Sequence, residues 1–207
     1  MFLKKKLKSK VIHKDFKLNG ISHSAVGLLE YLKEKEDYYN FLKSWFDDKD
    51  YILTNTSGST GKPKEIKLKK LDLIESSKLT ASYFDLKVGD KIINCLPIKY
   101  IAGKMMLVRS LVLGLDLYIF PATSSPISEL KKNYELVAFT PIQLENSILF
   151  IEKINKVLVG GSGVQDTLKE KILKSKSTVY ETYGMTETIT HVAARNLSVG
   201  EKEFTTL

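Results

Sequence analysis

Lys91-Ile92-Ile93-Asn94-Cys95-Leu96-Pro97, then the run from Ile101 to Leu113 closed by Gly114, then Leu117-Tyr118-Ile119-Phe120-Pro121, is the stretch that decides the fold. The first piece reads as a buried strand stopped by proline. The second is apolar almost all round, which predicts a buried helix with a glycine C-cap. The third is a second strand of the same kind. A strand, a buried helix and another strand in succession predict an α/β architecture with a largely parallel sheet.

The same alternation extends outward. Downstream, Leu136-Val137-Ala138-Phe139 and Lys156-Val157-Leu158-Val159 read as strands, a helix is expected over about 165–174, and Thr178-Val179-Tyr180-Glu181 is a further strand. Upstream, Val26, Leu29, Leu32, Tyr38, Phe41, Leu42 and Trp45 recur at helical spacing over 24–46, one or two helices with Ser22 or Ser24 as N-cap. Tyr51-Ile52-Leu53-Thr54 and Glu65-Ile66-Lys67-Leu68 are short strand patterns, 71–86 is helical, and Val88-Gly89-Asp90 is a turn. The expected fold is α/β: layered, largely parallel sheets with flanking helices. Ligands of such folds sit beyond the carboxyl ends of the strands.

Composition narrows the function classes. The chain has 207 residues and a formal net charge of +8, with 43% hydrophobic and 27% charged side chains. That is an ordinary globular composition, and no apolar run approaches the ~20 residues of a membrane span. Thirty of its 32 basic residues are lysines; only Arg109 and Arg195 carry guanidinium groups. Apart from Lys4, Lys5, Lys6, Lys8 and Lys10, the lysines are scattered, which speaks for a solvated surface and against a nucleic-acid reader built on arginine forks. One cysteine, Cys95, excludes an intrachain disulfide framework, and its apolar setting marks it as core. With no secretory signal apparent after the basic start, the expected compartment is cytoplasmic. His13, His23 and His191 lack paired metal-ligand spacing. Oligomeric state is open, a homo-oligomer included.

Thr56-Ser57-Gly58-Ser59-Thr60-Gly61-Lys62-Pro63-Lys64 is the most informative segment for chemistry. Two glycines let successive amides turn toward one point as an anion nest; four hydroxyls and two lysines add donors and charge. It is not a Walker A loop, since Pro63 follows Lys62 and position 56 is threonine. Between two strand patterns it reads as a hairpin-like phosphate clamp.

This segment resembles the signature loop of the adenylate-forming superfamily, which includes acyl-CoA synthetases, aryl-CoA ligases, luciferases and peptide-synthetase adenylation domains. Tyr183-Gly184-Met185-Thr186-Glu187 resembles the same superfamily's second motif. The resemblance covers about residues 50–197. It implies that Thr56, Ser57, Gly58, Ser59, Thr60, Gly61 and Lys62 grip ATP phosphates and that Tyr183 stacks on adenine beside Gly184. It also implies that Thr186 meets the α-phosphate, Glu187 ligates Mg²⁺, and Lys64 joins these two as the catalytic set. Gly160-Gly161-Ser162-Gly163 is similar to the segment that lines the adenine and acyl pocket. Glu181 stands where the family often has asparagine.

Leu96-Pro97-Ile98-Lys99-Tyr100-Ile101-Ala102-Gly103 is similar to the acyl-pocket stretch, and most like that of the o-succinylbenzoate–CoA ligases of menaquinone biosynthesis. Tyr100, in place of their common histidine, Gly103 and Arg109 are then the substrate-binding candidates. Lys104 and Arg109 both offer a cation for a distal carboxylate, but five residues put them about 140° apart on a helix, too far round to share a pocket. The implied activity joins a small carboxylic acid to coenzyme A, with ATP and Mg²⁺, through an acyl-adenylate. A ligase for another aryl or fatty acid and a non-catalytic nucleotide-binding fragment are the alternatives. Family members continue past the second motif into a ribose-binding aspartate and a smaller C-terminal lid domain. The expectation for residues 1–207 is therefore a truncated large domain, with an open nucleotide face and little thioester synthesis of its own.

Overall fold

The computed structural model of the chain describes residues 12–55 and 64–207. In chain order it contains β1 (Lys17–Leu18), β2 (Ile21–Ser22), α1 (Ala25–Tyr31), α2 (Glu36–Phe46), β3 (Tyr51–Asn55), β4 (Glu65–Lys69) and α3 (Lys70–Tyr83). There follow β5 (Lys91–Asn94), α4 (Ile101–Leu113), β6 (Asp116–Ile119), β7 (Tyr134–Phe139), α5 (Pro141–Ser147), β8 (Ile154–Val159) and α6 (Asp166–Ile172). The last strands are β9 (Thr178–Gly184), β10 (His191–Asn196) and β11 (Thr205–Thr206).

One sheet runs in the order β11-β10-β9-β8-β7-β5-β6-β1-β2, and β3 and β4 pair separately. From β1 through β6, β5, β7 and β8 to β9 every pairing is parallel. Only β2, β10 and β11 join antiparallel, at the edges. The largely parallel α/β expectation holds. From β5 the chain crosses to β6 on one side, and β7 then pairs on the other. The loops leaving β5 and β7 thus bound a crevice at their carboxyl ends.

The apolar strand runs are explained by burial on both faces. Ile92, Leu136 and Leu158 pack with Leu28, Trp45, Leu73 and the α4 residues Met105, Leu107 and Val108, so α1–α4 cover one face. Their neighbours Ile93, Val137, Val157 and Val159 pack with Leu144, Leu168 and Ile172, so α5 and α6 cover the other. α4 starts at Ile101 and stops at Leu113 as its sequence predicts, with Gly114 in the left-handed region at φ 73°. Ser24, not Ser22, caps α1, its hydroxyl accepting from the Gly27 amide.

Three differences from the sequence reading have a visible physical cause. β5 ends at Asn94, two residues early, because the Asn94 side chain accepts the Leu96 amide at 3.1 Å and turns the chain out of the ladder. Past β7, where the sequence reading placed no helix, Pro141 opens α5 behind a capping box of Thr140 and Gln143. β9 continues through Gly184 because the unpredicted β10 pairs with it.

Candidate functional site

Three of the four predicted segments gather on one edge of the main sheet. Residues 95–100 follow β5, Gly160–Gly163 follow β8, and Met185–Glu187 follow β9, all carboxyl ends of parallel strands. The phosphate loop is carried by a separate hairpin, in which Asn55 pairs with Glu65 and Tyr51 with Lys69. Thr56, Ser57, Gly58, Ser59, Thr60, Gly61 and Lys62 themselves lie outside the described residues. Lys64 stands exposed at the foot of β4.

α4 connects the two motif-bearing segments through two buried cations. Lys104, 8% exposed, donates from Nζ to Thr54 Oγ1 at 3.0 Å and to the Lys99 carbonyl at 2.9 Å. Burial holds its ammonium below the ordinary lysine value, and the Asp37 carboxylate opposes that shift. Arg109, 2% exposed, donates to Thr190 Oγ1 at 2.8 Å, to Thr80 Oγ1 at 3.3 Å and to Met106 Sδ at 3.6 Å. Burial pulls its guanidinium down to about 9, which leaves it charged at neutral pH. The helical-wheel separation is real: Lys104 faces the hairpin and Arg109 faces the turn after the second motif.

Around Arg109 lies a closed set of hydroxyls. Thr80 Oγ1 also donates to the Ser76 carbonyl and lies 3.1 Å from His191 Nε2, while His191 Nδ1 is 3.4 Å from Thr190 Oγ1. Burial, and then the Arg109 charge, press His191 well below the usual histidine range. It is neutral at pH 7. Thr80 and Thr190 are site neighbours that sequence reading missed; scattered hydroxyls carry no spacing signal. A groove of about 290 Å³ beside this network is lined by Asp72, Glu75, Leu79, Ile189, His191 and Leu207, and by none of the predicted site residues.

The second motif straddles a strand end. Tyr183 and Gly184 close β9, and Tyr183 remains 56% exposed, edge-on to Phe204 at 6.3 Å. At Gly184 a Cβ would collide with the Thr190 and His191 backbone where β10 begins, which accounts for a glycine there independently of any ligand. Thr186 is half-buried, and its carbonyl accepts the Ile189 amide. Glu187 is exposed.

Gly160 is packed against Thr182, while Gly161, at φ +92°, and Ser162 face outward. Beneath this turn Glu181 accepts the Val164 amide at 3.1 Å and Arg195 Nη2 at 2.6 Å. Its carboxylate is thus committed inside the protein. Tyr100 is half-exposed under Lys99, and Gly103 is buried where a Cβ would run into the Pro97 carbonyl. Burial pushes the Cys95 thiol up to about 12, in keeping with a core role.

No group of three or more His, Cys, Asp or Glu able to hold a metal occurs among the described residues. A single exposed carboxylate at Glu187 suits Mg²⁺, which takes one or two carboxylates and otherwise phosphate oxygens and water. None of the described helices is long and apolar enough to cross a membrane.

Comparison with known proteins bears on the family and the fold. The 2-succinylbenzoate–CoA ligase of Haemophilus influenzae is 27% identical over 150 residues, 69% of this chain and 32% of the ligase. That of a Geobacillus strain is 28% identical over 174 residues, 77% of this chain and 33% of its own length. The chain thus spans about a third of the curated relatives it matches. Among solved structures, an acyl-CoA synthetase (AMP-forming)/AMP-acid ligase II-like protein from Dyadobacter fermentans superposes with a TM-score of 0.75 at 35% identity, over 83% of this chain and 51% of that one. The o-succinylbenzoate coenzyme A synthetase of Bacillus subtilis, solved with ATP and magnesium, shares the fold at a TM-score of 0.63 and 17% identity, over 89% and 47%. A model of the AMP-binding enzyme family matches residues 14–205, and the chain belongs to that family.

Proposed function

We propose that this chain supplies the nucleotide and acid sites of an AMP-forming acid–CoA ligase whose acid is an aromatic dicarboxylate of the 2-succinylbenzoate kind. The observation that carries the reading is α4. One helix sends Lys104 to the hairpin of the phosphate loop and Arg109 to the turn beyond Tyr183–Glu187, so both motifs are organised around the residues that follow Tyr100. Arg109 is a buried cation whose described partners are all neutral. Such a cation suits a ligand carboxylate, and a distal carboxylate would supply one.

In the first step a carboxylate oxygen attacks the α-phosphorus of ATP, and pyrophosphate leaves. In the second the thiol of coenzyme A attacks the acyl carbon, and AMP leaves with the electron pair. The chain's part in both is positioning and charge stabilisation. The hydroxyls and lysines of 56–64 hold the polyphosphate, Tyr183 stacks on the base, and Thr186 donates to the α-phosphate. Glu187 would hold Mg²⁺, which when bound neutralises phosphate charge. Tyr100 gates the acid and Arg109 meets its second carboxylate.

Calorimetric titration with MgATP tests the nucleotide half. The double variant Thr60→Ala/Lys64→Ala should lose about 1–3 kcal/mol of binding through missing charged hydrogen bonds. An affinity equal to that of the unmodified chain would remove the loop from the site. ATP–pyrophosphate exchange with o-succinylbenzoate, benzoate and a fatty acid tests the acid half. Exchange led by the fatty acid would replace the dicarboxylate with an apolar substrate.

A further inference from the structure

Lys104 is expensive where it stands. α4 is otherwise almost wholly apolar, and an ammonium placed among its neighbours loses hydration that a hydroxyl and a carbonyl only partly replace. A methionine would fill the same space without that loss. The two acceptors show what the charge achieves. Thr54 is the next-to-last residue of β3, and the phosphate-loop sequence begins two positions later. Lys99 is the residue before Tyr100, at the end of the loop leaving β5. The other end of that loop is fixed independently, by Asn94 accepting the Leu96 amide. One ammonium therefore bonds two segments that share no strand pairing, one from the two-stranded hairpin and one from the main sheet.

We propose that Lys104 is a positioning residue that locks the phosphate-loop hairpin to the loop carrying Tyr100, so that occupation of one is transmitted to the other. The lock stands on its own geometry; the ligands it couples rest on the acid-activating function proposed above. An ammonium donates in any direction within reach, so it holds two acceptors together through small displacements that a rigid packed contact would resist.

Hydrogen exchange on the 207-residue chain without ligand tests the lock, with Lys104→Met and, as a gentler change, Thr54→Val. Exchange should rise at least about tenfold at residues 51–55 and also at Leu96 and Tyr100, while β7 and β8 keep their protection. A rise spread evenly over β7 and β8 means general destabilisation and overturns the proposal, as does a rise at only one of the two segments in both variants. The coupling is read as the ratio of MgATP dissociation constants without and with o-succinylbenzoate. A ratio of about fivefold or more in the unmodified chain should fall toward one in both variants. A ratio that survives in both overturns the transmission. If the unmodified chain binds neither ligand, the ligase reading and with it the transmission fail, while hydrogen exchange still decides the lock.

Discussion

The molecule holds its buried and half-buried cations in two ways. At its periphery they meet carboxylates: Lys70 Nζ lies 2.8 Å from Asp47 Oδ1 at the base of the β3–β4 hairpin, and Arg195 Nη2 lies 2.6 Å from Glu181 Oε2 beneath the glycine turn. Inside α4, Lys104 and Arg109 meet hydroxyl, carbonyl and thioether atoms only, among the described residues. A paired ion fixes an element in place, and removing one partner strands the other. An ion held on neutral acceptors keeps an unspent charge that a ligand or a moving loop can use. On the function proposed above, the same residue types serve as scaffold at the edges and as machinery at the centre.

The largest expected effect comes from breaking a scaffold pair. Glu181→Ala removes the carboxylate from Arg195 and from the Val164 amide together, with Glu181 nearly fully buried. Loss of one partner from a fully buried pair costs about 3–5 kcal/mol, and the half-buried Arg195, which keeps the Lys202 carbonyl, puts this loss toward the lower end. Urea unfolding measures it; a loss below about 1 kcal/mol would place this pair with the dispensable surface bridges.

How far this contrast could be read from sequence differs by layer. The elements around β5, α4 and β6 were legible because apolar runs, Pro97 and Gly114 state their own boundaries. Strand β10 was not, since His191-Val192-Ala193-Ala194-Arg195-Asn196 has little periodic signal and forms by antiparallel pairing with β9 and β11. The motif residues could be named from their pattern. The partners of Arg109 could not, because Thr80 and Thr190 stand 29 residues before it and 81 after and meet only through the fold. Gly103 and Gly184 looked like ligand-facing glycines, yet each gives way to the chain's own backbone. A glycine in a motif reports close approach without saying what approaches.

A smaller effect, dependent on pH, tests the neutral setting of α4 from the side of His191. Its folded-state value lies well below 6.5, through burial and the Arg109 charge, so the unfolded chain takes up its proton first as pH falls. Stability is then undiminished above about pH 6.5. It declines below that, by up to about 1.4 kcal/mol per pH unit, until the folded form is protonated too. His191→Gln keeps a hydrogen-bonding side chain without the titration, and its stability curve should be flatter between pH 6.5 and 5. His23, also held low by burial, titrates in both proteins and cancels in the difference. Parallel curves would mean that His191 is protonated as easily in the fold as outside it.

The smallest effect on stability should come from Arg109→Met, and it separates the two kinds of cation most directly. Methionine keeps the aliphatic stem in the core and removes the charge. No anion is stranded among the described residues, and the hydroxyls left behind have other partners: Thr80 keeps the Ser76 carbonyl and His191, and Thr190 keeps His191. Loss of the guanidinium also lifts the desolvation that draws it down to about 9. The two changes offset, so the unfolding free energy should stay within about 1 kcal/mol of the unmodified chain. Ligand binding should not be spared. A charged hydrogen bond to a second carboxylate is worth about 1.5–3 kcal/mol, or roughly 10- to 100-fold in affinity. Titration with o-succinylbenzoate should show that loss, and titration with benzoate, which has no second carboxylate, should not. If instead Arg109→Met destabilises the chain as much as Glu181→Ala while leaving the two acids alike, Arg109 belongs to the scaffold and the division drawn between edge and centre collapses.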